Sequence, residues 1–140
     1  MSNARLAGIA ASTIEEAPVA EADLVVVAVP SGVFGEVVAA LPGSAPVLSL
    51  TKGLDPATGE RLSTLVRGRP VAVLSGPNIA EEIVRGLPAA AVIASDELEL
   101  AVRLQVAVNS TTFRVYVNDD VTGVELCAAA KNVIALAAGG

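Results

Sequence analysis

The run Asp23-Leu-Val-Val-Val-Ala-Val29 limits what this chain can become more than any other stretch. It is too short for a buried helix of ordinary length, it is rich in β-branched valine, and Pro30 ends it. It has no polar alternation, so it reads as a strand covered on both faces, and such strands belong to parallel sheets. Residues 1 to 22 are weakly patterned by comparison, broken at Gly8 and Pro18.

From Val29 onward, helical and strand-like stretches alternate. Val33 to Leu41 has helical spacing, Pro46 to Leu50 is a short strand, and Thr58 to Val66 is a short helix. Val71 to Leu74 is the next strand, followed by a helix from about Asn78 to Arg85. Ala90 to Ala94 and Phe113 to Val117 are two more strands; between them a helix runs from Glu97 to Val108, capped by Ser95 or Asp96. The last helix begins at about Gly123, with Thr122 and Glu125 as a capping box. Strands alternating with helices in this way predict a doubly wound α/β sheet, in which ligands bind beyond the carboxyl ends of the strands.

Composition narrows the function. The formal charge of −6 argues against a general nucleic-acid or acidic-membrane surface, so any anion site must be local. With no histidine, Ser-His-Asp triads and the common zinc sites are excluded, and no metal site is expected. Cys127 is the only cysteine, which points to a reducing compartment and a cytoplasmic protein. No apolar run reaches the ~18 residues of a membrane span.

Three strand ends stand out: Pro30-Ser-Gly-Val-Phe34, Thr51-Lys-Gly53 and Ser75-Gly-Pro-Asn-Ile-Ala80. Each breaks sharply after an apolar run, so all three belong on one rim of the sheet. Glycine there lets a ligand approach the backbone, and Pro77 can open a helix whose free N–H groups favour an anion. Lys52 supplies a point charge suited to phosphate. On the final helix Val124, Cys127, Ala128, Lys131, Ile134, Ala135 and Ala138 share one stripe, with Lys131 in its middle. An ammonium in that position either snorkels outward, as an ordinary edge lysine does, or points into a cleft that holds an anion or a reacting oxygen. Only Lys52 and Lys131 are lysines, while the other seven basic residues are arginines, which favours a specific use for the compact ammonium.

Four segments together resemble the NAD(P)-dependent glycerol-3-phosphate dehydrogenases: A-D-L-V-V-V-A-V-P-S-x-x-F at 22 to 34, S-L-T-K-G-L at 49 to 54, L-S-G-P-N-I-A-E-E at 74 to 82, and G-V-E-L-C-A-A-A-K-N-V-I-A-L-A-A-G at 123 to 139. The resemblance runs from about Asn3 to Gly140. It implies a Rossmann-like fold, NAD or NADP as cofactor, a phosphorylated small-molecule substrate and a homodimer. It implies that Lys131 is the catalytic lysine, that Lys52, Gly76, Asn78, Lys131 and Asn132 line the substrate, and that Phe34, Lys52 and Ala80 meet the cofactor. It divides the chain into residues 1–121, a partial dinucleotide-binding domain, and residues 122–140, the start of a helical substrate domain. The family's initial G-x-G-x-x-G turn has no counterpart here, and Asn3 to Gly8 resembles the loop after the family's second strand.

Two functions follow: the centre of an oxidoreductase interconverting dihydroxyacetone phosphate and glycerol 3-phosphate, or a non-catalytic phosphate-binding or assembly module derived from such enzymes. In either case an incomplete doubly wound sheet leaves an unpaired edge and an uncovered face. Residues 1–140 alone are therefore expected to be oligomeric, marginally stable or completed by another chain. A sharp monomer boundary in sedimentation, together with cooperative melting above about 60 °C, contradicts this.

Overall fold

A computed structural model describes residues 9–139, apart from the side chain of Asn132. The expectations for Asn3 to Gly8 and for the Asn132 side chain lie outside the described residues. Strand β1 (Val25–Val27), helix α1 (Ser31–Ala40), β2 (Val47–Ser49), β3 (Val71–Ser75), α2 (Ala80–Val84), β4 (Ala89–Ala94), α3 (Leu98–Val108), β5 (Phe113–Asn118) and α4 (Val121–Ala138) follow one another along the chain. Short 3-10 turns form at Val19–Glu21 and Leu62–Leu65. The strands make one sheet in the order β1-β2-β3-β4-β5, an α/β fold of the expected class.

Strands β1, β2 and β3 are parallel, with Val25 beside Val47 and Val47 beside Val71. Strand β4 then runs antiparallel to β3, Ser75 facing Val92, and β5 runs parallel to β4. The all-parallel expectation fails at this one pairing: the connection through the five-residue α2 returns at the rim where it left, and hydrophobic periodicity shows that a strand forms but not in which direction it runs.

Alternation along the strands divides the core between two faces. On one face Leu48, Ala72, Ile93 and Val115 pack beneath Leu100, Ala101 and Leu104 of α3. On the other, Val27 and Val47 pack with Phe34, Val38 and Leu41 of the α1 region and with Leu62, while Val73 and Ala94 meet Val121 of α4. Helix α3 begins at Leu98 with Glu97 as its N-cap and no side-chain cap, so neither Ser95 nor Asp96 caps it; Ser95 Oγ instead accepts from the N–H of Glu97 and donates to the carbonyl of Val71, tying the preceding turn to β3. At the rim remote from the strand ends named above, Arg69 donates to the carbonyls of Leu41, Gly43 and Ala45, closing the turn before β2. Gly43, at φ 70°, sits in that turn.

Three expectations change. The Asp23–Val29 strand shortens to Val25–Val27 at the sheet edge, and Val26 is 51% exposed because no described element covers its face. The helix at Thr58 to Val66 is reduced to the 3-10 turn, since Asp55 captures Thr58 in a tight reversal: the Thr58 hydroxyl donates to Asp55 Oδ2 at 2.7 Å, and that bond holds the Asp55 carboxyl below its usual range. In α4 the capping box is replaced. Asp120 is the N-cap, its Oδ1 accepting from the N–H of Gly123 at 2.7 Å, and Glu125 turns away to partners in another segment. No described helix is long and apolar enough to cross a membrane.

Candidate functional site

Because β1, β2 and β3 are parallel, Pro30, Thr51 and Gly76 all leave the sheet at one rim. Contacts between these turns confirm it. The N–H of Val29 donates to Thr51 Oγ1 at 3.3 Å, and Lys52 Nζ donates to the carbonyl of Gly76 at 3.0 Å. Helix α4 starts at the opposite rim, where Val121 packs on Val73 and Ala94, and climbs back across the sheet. At 1.5 Å per residue the ten steps from Val121 to Lys131 cover about 15 Å. That is enough to bring Lys131 to the rim that carries Lys52.

The two lysines line the same cavity, of about 240 Å³, with Ser75, Gly76, Pro77 and the α4 side chains Val124, Cys127 and Ala128. On the other face of the sheet lies a larger groove, of about 510 Å³, with Val26, Leu48, Leu50 and Leu74 as its floor. Asn78 and Ala80 lie along it. Lys52, Ser75 and Gly76 border both spaces, so the Lys52–Gly76 hydrogen bond forms the ridge between them. Asn78 Oδ1 is buried and has no hydrogen-bond partner. A buried acceptor in that state calls for an O–H or N–H donor, and an apolar-walled groove with one such acceptor fits part of a dinucleotide.

Not every expected residue arrives. Phe34 is fully buried among Val27, Val38 and Val47, on the face of the sheet remote from the large groove, so its ring packs the core. Pro77 does not open a helix, because α2 starts at Ala80 after Ile79. Cys127 is exposed, although it borders the cavity, and Ile134 of the same stripe is exposed at 62%: α4 leaves the sheet after about Ala128, and Leu136 beyond it is 81% exposed. Lys131 is likewise exposed, at the cavity wall.

Gly76 has a different reason from the one the sequence suggested. A Cβ added there falls 2.5 Å from the carbonyl oxygen of Ala90 and 3.0 Å from Ala91 Cα, so the closely approaching group is the β4 backbone. The sequence reading also missed an ion pair. Glu125, 8% exposed on α4, accepts from the Ser63 N–H at 2.9 Å, from Ser63 Oγ at 2.6 Å and from Arg61 Nη1 at 3.1 Å. One signal could have disclosed it: Glu125 is the only acid in a helix whose only other charged residue is Lys131.

Residues 7–101 match a protein family described as the N-terminus of NAD-dependent glycerol-3-phosphate dehydrogenase. A Legionella pneumophila protein named glycerol-3-phosphate dehydrogenase, NAD(P)+, is 42% identical over 127 residues, covering 86% of this chain and 39% of the relative. A Mycobacterium avium protein of the same name is 45% identical over 126 residues, covering 84% and 37% respectively. The chain thus spans about two fifths of the length of these relatives. The crystal structure of glycerol-3-phosphate dehydrogenase from Coxiella burnetii superposes with a TM-score of 0.75 at 35% identity, over 84% of this chain and 38% of that one. The Plasmodium falciparum enzyme gives 0.77 at 27% identity, over 86% and 37%.

The crowding at Gly76 yields a measurable outcome. Gly76→Ala forces β3 and β4 apart at the rim and is expected to cost about 1–3 kcal/mol, the range for overpacking. A urea unfolding midpoint equal to that of the unsubstituted protein shows that the rim relaxes freely.

Proposed function

Because the chain belongs to the NAD-dependent glycerol-3-phosphate dehydrogenase family, we propose that it forms the central part of an oxidoreductase interconverting dihydroxyacetone phosphate and sn-glycerol 3-phosphate with NAD or NADP, feeding glycerophospholipid synthesis. In this reading residues 1–121 belong to the dinucleotide-binding domain, and residues 122–140 open the helical substrate domain. The complete protein is a cytoplasmic homodimer. The single cysteine supports a reducing compartment.

The observation that carries this reading is the ridge formed by Lys52 and the Gly76 carbonyl, with an apolar groove on one side and a cavity bearing a second lysine on the other. Leu48, Leu50, Leu74 and Ala80 are the residues that would hold the cofactor, and hydride transfer is the chemistry it supplies when bound. Asn78 Oδ1, buried and unpartnered, would accept a hydrogen bond from a donor on the bound cofactor or substrate. Lys52 neutralises the substrate phosphate as a compact charge at the end of β2. Gly76 completes the substrate wall.

Reduction of a ketone develops negative charge on its oxygen, and the site needs a donor that stabilises that charge and then gives up a proton. Lys131 fills this role, and its neutral amine accepts the alcohol proton in the reverse direction. No histidine is present in the chain to do so.

Each lysine has its own test in the complete enzyme. Lys52→Met is expected to raise the Michaelis constant for the phosphorylated substrate by about 10- to 100-fold, the value of a charged hydrogen bond. Unchanged constants for both substrate and cofactor reduce Lys52 to a surface charge. Lys131→Arg keeps the charge but is expected to lower turnover by about 10²-fold or more, with cofactor binding little changed. Near-normal turnover in Lys131→Ala removes Lys131 from the mechanism.

A further inference from the structure

The ion pair on α4 lies outside both cavities, yet it joins the helix that carries Lys131 to the segment that follows Lys52. Lys52 follows β2; the chain then reverses at Asp55, returns through the bridge between Leu54 and Arg61, and reaches Ser63. There the Glu125 carboxylate engages it. One oxygen accepts from the Ser63 N–H, and the other accepts from Ser63 Oγ and Arg61 Nη1. Arg61 Nη1 also donates to Ser63 Oγ at 3.2 Å, so the three residues form a closed set. It is the only salt bridge among the described residues.

We propose that Glu125 is a positioning residue, which, by holding Ser63 and Arg61, fixes the rotation of α4 at which Lys131 faces the cavity shared with Lys52. The proposal rests on the reading of Lys131 as the general acid. Among the described residues the other contacts of α4 are small and undirected: Val121 is buried, Val124 and Ala128 are partly buried, and the turns beyond Lys131 are exposed, with Val133 at 70% and Leu136 at 81%. Packing of valine and alanine on a sheet resists separation far better than it resists rotation. Hydrogen bonds to a carboxylate are directional, so Glu125 supplies a rotational restraint that this packing does not.

Lys131 lies six positions after Glu125, about 9 Å along the helix axis. A side-chain tip lies about 5–6 Å off the axis, so a rotation of about 10° displaces it by roughly 1 Å. Misplacement on that scale can lower turnover by on the order of 10²-fold. A carboxylate that merely stabilised the fold would change the amount of folded enzyme, but not the turnover of each folded molecule.

The test is a double-mutant cycle in the complete enzyme. Glu125→Gln replaces one acceptor with a donor and is expected to lower kcat by about 10-fold or more, with the Michaelis constant for the nicotinamide cofactor within about twofold of normal. In a Lys131→Ala background the same change should have no further effect on kcat, because nothing remains to be positioned. Ser63→Ala removes one of the bonds while keeping the ion pair, and should give a smaller fall of the same kind. An unchanged kcat in Glu125→Gln, or an equal fall in both backgrounds, overturns the proposal. Should Glu125→Gln fail to fold, Ser63→Ala decides: turnover equal to that of the unsubstituted enzyme overturns the proposal. Near-normal turnover in Lys131→Ala alone instead sinks the general-acid reading, and the positioning role falls with it. A dead Lys131→Ala beside a normal Glu125→Gln leaves that reading standing and rejects only the role of Glu125.

Discussion

Parallel pairing of β1, β2 and β3 is the constraint on which the rest of the structure depends. It directs three successive turns to a single rim, so residues 30, 52 and 76 become neighbours although more than twenty positions separate each from the next. The backbone groups freed where the strands end must find partners, and two do so across the rim: Val29 through Thr51 Oγ1, and Gly76 through the Lys52 ammonium. The same bond that satisfies the Gly76 carbonyl fixes where Lys52 can put its charge.

The antiparallel turn of β4 serves the same rim from the other direction. Since the chain returns beside Gly76, the Ala90 carbonyl comes so close that only glycine fits at the end of β3. Strand β5 follows β4 in parallel, which delivers α4 to the far rim and obliges it to cross the sheet on its way back. Its length then decides which residues arrive near Lys52. Cys127, Ala128 and Lys131 do, while the later turns pass beyond the sheet.

Much of this was legible in the chain. The alternation of β-branched runs with helical spacing identified all five strands and the order of the elements, because burial of a strand between helix layers demands apolar side chains on both faces. The breaks at Pro30, Lys52 and Gly76 marked the rim for a similar reason: turns need residues that strands avoid. Element ends were less legible. Thr58 looks helical in spacing but is held by Asp55, and Thr122 resembles a cap although Asp120, two residues earlier, takes the Gly123 N–H. In each case a local side-chain hydrogen bond outcompeted the pattern.

What the sequence by itself determined is therefore the class of fold, the rim on which the cavity and the groove open, and the two lysines that line the cavity, since all three follow from periodicity and from which residue types a turn or an apolar helix tolerates. Tertiary structure alone decided the reversal of β4, the burial of Phe34 on the face remote from the large groove, and the attachment of Glu125 to Ser63 and Arg61. The physical reason is common to the three. Direction, face and partner depend on groups as far as sixty-four positions apart being brought into contact, and hydrophobic periodicity records only whether a side chain is buried, not what lies on the other side of it.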